Sequence, residues 1–210
     1  MTINTAGLKA ISTKARVPRR DPWRPPTMAD LSKHEGRRII AVDQSLSATG
    51  LVVIHVHADH LSILRTETLR GMADKNAEGY EETLQRALSL GKQLATKLGV
   101  TPDIDEIVHE GVPIGGGKIV RPESSLMASL ALRQEAGLWG IPVSPMVQPQ
   151  THRRVICGKP GATKKEEHEA LATLAGSLPI LGYEIVTNEA TRDALCVGIA
   201  HLARNEGKNG

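Results

Sequence analysis

Phenylalanine is absent from the 210 residues, and aromatic side chains make up only 2% of them. A core must therefore be filled by Leu, Ile, Val, Ala and Met, and any function that stacks rings on bases has few candidates. Cysteine occurs twice, at Cys157 and Cys196, neither in a CxxC pair nor within a Cys/His metal pattern. A disulfide framework and a cysteine zinc site are thereby excluded, and both thiols read as reduced, small residues in or near the core. No window approaches the roughly 18 consecutive apolar residues of a membrane span, so no membrane association is expected. The start, Met1-Thr2-Ile3-Asn4, also lacks an apolar stretch of signal-peptide type. A cytoplasmic location is the expectation.

What is present is 40% hydrophobic content over a length sufficient for one α/β domain with a real core. The net charge of +3 is unevenly spread. Residues 1–36 carry Lys9, Lys14, Arg16, Arg19, Arg20, Arg24 and Lys33 against Asp21, Asp30 and Glu35, a local charge of +4 that leaves the rest near −1. The same stretch holds Pro18, Pro22, Pro25 and Pro26 and no sustained periodicity, so it reads as a flexible basic arm. Such an arm on a near-neutral body suits a polyanion partner, because contacts to phosphate release counterions. Charge alone is equally compatible with a solvated tail. The expected organisation is an arm over 1–36, one domain over 37–206 and a disordered tail over 207–210.

The body opens with Arg38-Ile39-Ile40-Ala41-Val42-Asp43, an apolar run read as a buried strand ending on an acid. Gly50–Val56 and His60–Thr68 are β-branched-rich and follow at hairpin distance, which predicts an antiparallel meander. Helical spacing from Glu78 to Leu98 ends at Gly99. Ile104–Glu110 is a short strand closing on an acid, Ser124–Trp139 a helix closed by Gly140, and Val143–Val147 a last strand. Helices are predicted over Lys164–Ser177 and Glu189–Arg204. The order β-β-β-α-β-α-β-α predicts a mixed five-stranded sheet flanked by helices.

Asp43 and Glu110 thus lie at the C-terminal ends of predicted strands, the edge where open α/β sheets place ligands. Asp193 opens the apolar helix Ala194–Ala200, with Glu189 four residues earlier on the same face. Converging carboxylates repel one another unless a cation neutralises them. Oxygen ligands without Cys or His select Mg²⁺, with Mn²⁺ able to substitute. Taken singly, each acid is also an ordinary helix or strand terminus. His55, His57 and His60 lack acids or Cys at ligand spacing and read as sheet-surface residues, while His201 lies about 12 Å along the helix from Asp193.

Asp43-Gln44-Ser45-Leu46-Ser47-Ala48-Thr49-Gly50 resembles the first motif of RuvC-type Holliday junction resolvases, of the RNase H-like fold. The resemblance runs over residues 38–204. Ile107-Val108-His109-Glu110 is similar to the family's second acidic strand, and Ser124–Val143 to the helix and strand entry after it. Arg153, Gly158, Ala162 and Lys164 fall on its basic residue, glycine turn, Ala and Lys, and Arg192-Asp193-Ala194-Leu195 resembles its Asp-Ala-Leu helix start.

The resemblance implies a Mg²⁺-dependent endonuclease cutting branched DNA, foremost Holliday junctions, in recombination or repair. Asp43, Glu110 and Asp193 would hold metal. Lys164 and Arg153 would contact the scissile phosphate region, and Arg154, Lys159, Lys165 and Lys118 would bind DNA less specifically. A homodimer is implied, because symmetric cutting of a two-fold junction needs two sites, with Ser124–Trp139 as a candidate interface. The family's further Asp, three residues before the last, is Ala190 here, so Glu189 stands as the candidate fourth acid. The aromatic that follows the second acid is replaced by Pro113 in Gly111-Val112-Pro113-Ile114-Gly115-Gly116-Gly117-Lys118. That departure leaves flaps, forks, RNA–DNA hybrids, or binding without catalysis as alternatives. A sugar-kinase or actin-like ATPase shares the Asp and Thr-Gly turn but needs two related domains, for which this chain has no room.

Overall fold

The computed structural model describes residues 22–111 and 122–204. The expected meander is present as β1 (Arg38–Asp43), β2 (Thr49–Val56) and β3 (Leu61–Leu69), paired antiparallel in succession. β4 (Glu106–His109) lies parallel to β1, and β5 (Ile180–Leu181) parallel to β3, giving the five-stranded order β4-β1-β2-β3-β5. The fifth strand is therefore not Val143–Val147. That segment touches the β4 side only at Ile107↔Val143 and Glu110↔Val147, because Pro145 between them has no N–H to extend the ladder.

Both sheet faces are covered, which is why the interiors of β1 and β2, Ile39–Val42 and Leu51–Ile54, are continuous apolar runs rather than alternating with polar residues. Ile39, Ala41, Val52 and Ile54 share one buried cluster with α6 (Glu189–Leu202). Ile40, Val42, Leu51 and Val53 face the other way, onto α2 (Gly79–Gly99) and α3 (Pro122–Leu138). Period-two alternation thus feeds two cores from one run of residues. α3 starts two residues before Ser124, since Pro122 is suited to the first helical position, and Gly140 follows its end with φ +66°. Two helices link the layers: α4 (Pro149–Cys157), which the sequence pattern did not announce, and α5 (Lys164–Ser177). Among the described residues no helix is long and apolar enough to cross a membrane.

The described end of the expected arm is folded onto the body. α1 (Met28–Leu31) places Leu31 in the core, and Trp23 Nε1 donates to the Val155 carbonyl at 3.1 Å. Residues 1–21 and the expected tail lie outside the described residues.

At the end of the sheet where β4 begins, buried Glu106 ties three elements together. Its Oε1 pairs with Arg37 at 2.9 Å and His201 Nε2 at 3.0 Å, and it accepts from the Ser144 hydroxyl. Burial pushes this carboxyl up, but the His201 and Ser144 hydrogen bonds and the Arg37 charge prevail and hold it at about 2. A depressed folded-state value means stability that is present above the ordinary 4.5 and lost as pH falls toward 2. The gap in melting temperature between wild type and Glu106→Gln should therefore be widest above pH 4.5 and close as pH approaches 2. A gap independent of pH would refute the charge-based account.

Candidate active site

β1 and β4 are parallel neighbours, so their C-terminal ends open on the same edge. β1 delivers Asp43 there, and one residue past β4, Glu110 donates its N–H to the Val42 carbonyl at 3.0 Å. The third acid arrives from above the sheet. Asn188 caps α6, its side chain accepting from Thr191 N at 3.1 Å, which sets Glu189 and Asp193 one turn apart on one face. Two glycines allow α6 this close approach. A Cβ on Gly50, the residue paired with Asp43, would fall 1.9 Å from the Ala190 carbonyl oxygen, and one on Gly198 2.6 Å from Ile54 Cδ1. Any side chain at Gly50 would lift the first turn of α6, and the acids with it.

Asp43, Glu110 and Asp193 line a cavity of about 640 Å³, together with His152, Arg153 and Lys164. An adjoining cavity of about 480 Å³ shares Asp43, Lys164 and Asp193 and adds Ser45, Arg70 and Glu189. Burial drives the Asp43 carboxyl well above its ordinary range. Glu110, within hydrogen-bonding reach, and the Asp193 charge drive it further, and Lys164 only partly offsets them. Lys164 Nζ donates to Glu189 Oε1 at 2.7 Å and Asp193 Oδ2 at 2.8 Å. Burial lowers its affinity for a proton, but those two carboxylates outweigh burial and raise it. His168 Nε2 meets Asp193 Oδ1 at 2.7 Å, so both oxygens of that carboxylate have partners. Glu189 stands at the rim, 65% exposed, and the Lys164 hydrogen bond pulls its carboxyl below the ordinary value.

Behind Glu110 lies a buried relay that sequence reading missed. His152, 3% exposed, contacts Glu110 Oε1 through Nε2 at 2.8 Å and Glu167 Oε1 through Nδ1 at 2.5 Å. Burial lowers the imidazole, yet the two carboxylates together carry it up to about 9. Arg153 Nε reaches the other oxygen of Glu167 at 3.4 Å. Gln44 Nε2 donates to the Glu110 carbonyl from the β1 side. One signal was available: His168 lies four residues after Lys164, hence on the same face of α5. For His152 and Glu167, on different helices, no period links the pair.

Of the basic residues singled out, Lys164 and Arg153 face the acids. Lys165 lines an adjoining groove with His168 and Arg192. Arg154 and Lys159 line none of these cavities, and Lys159 is bound to Glu166 at 2.5 Å. Lys118 and the glycine-rich stretch around it lie outside the described residues.

Among the described residues, no three His, Cys, Asp or Glu side chains converge closely enough to hold a metal ion as they stand. The donor chemistry nonetheless fits a hard divalent cation. Asp43, Glu110 and Asp193 offer only oxygen, and the mutual repulsion that raises Asp43 is what a cation would relieve. Asp193 would have to exchange Lys164 for it.

No protein-family model matches the sequence, and no curated protein does. Solved structures do match. Thermus thermophilus RuvC is 16% identical, with 79% of this chain and 93% of that one superposed at a TM-score of 0.59. The fold is that of RuvC. The same protein in complex with Holliday junction substrate gives 17% identity, coverage of 79% and 92%, and a TM-score of 0.59. The yeast mitochondrial Holliday junction resolvase Ydc2 is 10% identical over 84% of this chain and 83% of its own, with a TM-score of 0.55. On the RuvC fold, an RNase H-like sheet, the carboxylate edge formed by β1 and β4 lies beneath the start of α6.

Proposed function

We propose that this chain is a divalent-metal-dependent endonuclease that cuts branched DNA, foremost Holliday junctions, through a nuclease domain spanning residues 37–206. The observation that carries the reading is the meeting of Asp43, Glu110 and Asp193, from three separate elements, in one cavity with Lys164 and Arg153. The junction is preferred over flaps, forks and RNA–DNA hybrids because the similar structures are RuvC, one of them on a Holliday junction, and a Holliday junction resolvase.

Asp43, Glu110 and Asp193 would hold Mg²⁺ or Mn²⁺, with Glu189 as a fourth acid at the rim. The ion would supply Lewis acidity and lower the pKa of a bound water. The chain's own groups supply the rest. Lys164, freed from Asp193, offers its ammonium to the charge developing on the phosphate. Arg153 uses one of five donors on Glu167 and keeps four for phosphate oxygens. His152 and Gln44 hold Glu110 from behind. Lys165, Arg154, Lys159 and Lys118 are proposed to track the backbone at a distance, acting by counterion release. The site of action is proposed to be the cytoplasm.

The deciding experiment is cleavage in Mg²⁺ of a matched set comprising four-way junction, 5′ flap, fork, linear duplex and RNA–DNA hybrid. Paired symmetric nicks on the junction support the reading, and preferential cutting of another member replaces the substrate. Tight junction binding without any cutting, in Mg²⁺ or Mn²⁺, would leave a binding protein.

Paired nicks require two sites, and α3 exposes Leu126, Leu130, Leu138 and the Trp139 that follows it. This face is proposed as the contact with a second copy. Leu130→Glu is expected to turn a dimer into a monomer by light scattering, with the melting temperature little changed because Leu130 is 60% exposed.

A further inference from the structure

All eight histidines of the chain lie within the described residues. Five lie elsewhere in the fold: His34, His109 and His152 are buried, His168 bonds Asp193, and His201 bonds Glu106. The other three gather at the hairpin joining β2 to β3. His55 and His57 are two residues apart and so share a strand face, and His57 N–H donates to the His60 carbonyl across the turn at 2.9 Å. The rings of His55 and His57 lie 4.1 Å apart, and those of His57 and His60 also 4.1 Å apart and stacked at 10°. All three are partly open to solvent.

We propose that His55, His57 and His60 form a second metal site, which takes a borderline transition-metal ion such as Zn²⁺ and is separate from the carboxylate edge. Imidazole nitrogen suits Zn²⁺, Cu²⁺ or Ni²⁺ and not the hard ions that an all-oxygen site selects. Packing three imidazoles together has no apolar gain comparable to three aliphatic side chains, whereas one ion would be reached by all of them. Asp59 supplies the outer partner common at such sites: its Oδ1 meets His60 Nδ1 at 2.7 Å, which fixes that ring and leaves Nε2 to the metal. The stacked rings do not yet converge on one point, as a metal would require. Rotation of partly exposed side chains at a hairpin tip would provide the splay.

The site lies at the far end of β2. Gly50 pairs with Asp43 at one end, and five to seven residues at about 3.3 Å each put the imidazoles roughly 20 Å away. An ion here would not reach the scissile phosphate. Its effect would be to pin the β2–β3 hairpin, where β5 joins the sheet through Leu61 and Ser62.

The test is calorimetric titration of the untagged full chain with Zn²⁺ in buffer containing excess Mg²⁺, paired with thermal melts. One Zn²⁺ per chain is expected, with a rise in melting temperature that is kept in Asp43→Asn and abolished in His57→Ala. Asp59→Asn should weaken binding about 10–100-fold. His57→Ala should melt like the metal-free wild type, which separates loss of ligand from loss of fold. If His57→Ala unfolds, His60→Ala provides the same comparison. Zn²⁺ binding that survives both histidine substitutions, or that is lost in Asp43→Asn, would overturn the proposal without touching the nuclease reading. So would the absence of stoichiometric binding.

Discussion

Asp43→Asn is expected to lose cleavage of a four-way junction by about a thousandfold or more, while melting several degrees higher than wild type. The first half follows from the chemistry asked of the carboxylate edge. On the proposed function, a metal there would contribute several kcal/mol of transition-state stabilisation, and each 1.36 kcal/mol is about tenfold in rate. Asparagine keeps the shape of Asp43 but neither its charge nor its full affinity for a hard cation. The second half follows from the cost of the same charge. Asp43 is held among Glu110 and Asp193 in a setting that disfavours its ionised form, with Lys164 as partial relief. Removing one of several repelling charges should gain roughly 1 kcal/mol, equivalent to about 2–4 °C at this chain length. Mg²⁺ should then raise the melting temperature of wild type and leave that of Asp43→Asn unmoved, a readout independent of catalysis. Equal junction cleavage by both proteins would remove Asp43 from the reaction. A lower melting temperature for the variant would mean that Asp43 is a structural acid.

The parts of this site that could be read beforehand are those where local pattern and chemistry coincide. An apolar run ending in Asp43 and another ending near Glu110 each place an acid at a strand terminus, whichever fold they join. Those two, followed in order by the segments Arg153–Lys164 and Arg192–Leu195, then point to the fold. α4 was missed although its ends are marked, Pro149 at the first position and Gly158 at φ +77° after the last. Nine residues hold too few turns for a helical period to stand out. β5 is two residues long and owes its place to pairing with β3. The strand expected over Val143–Val147 contains Pro145, which has no N–H to donate, and the two separate bridges there follow from it. Ala190 is a different case. The backbone carbonyl at this position rests against Gly50, so what matters there is the absence of bulk opposite it, and His168 from α5 occupies the second oxygen of Asp193. Contacts of that kind, made between helices far apart in sequence, have no period and appear only once the helices are packed.

His152→Leu should be the most destabilising of the single changes considered, by about 3–5 kcal/mol, because it strands a buried charge. Glu167 is 1% exposed, and its close partner is His152 at 2.5 Å, with Arg153 at a weaker 3.4 Å. With the imidazole gone, that buried carboxylate is left with the longer Arg153 contact. Adding Glu167→Gln to His152→Leu removes the stranded charge and should recover most of the loss, so the two changes together should cost far less than their sum. Activity should not follow stability. In the double variant Glu110 still lacks the Nε2 contact at 2.8 Å that holds its Oε1 in the cavity, so junction cleavage should stay depressed while the melting temperature recovers. Raising Mg²⁺ should then restore part of the rate if the defect is a looser metal site. That separation is what a merely structural His152 would not produce. Were cleavage to recover in step with stability, the relay from α5 through His152 would belong to the core alone, and Glu110 would be positioned by Gln44 and the β4 backbone.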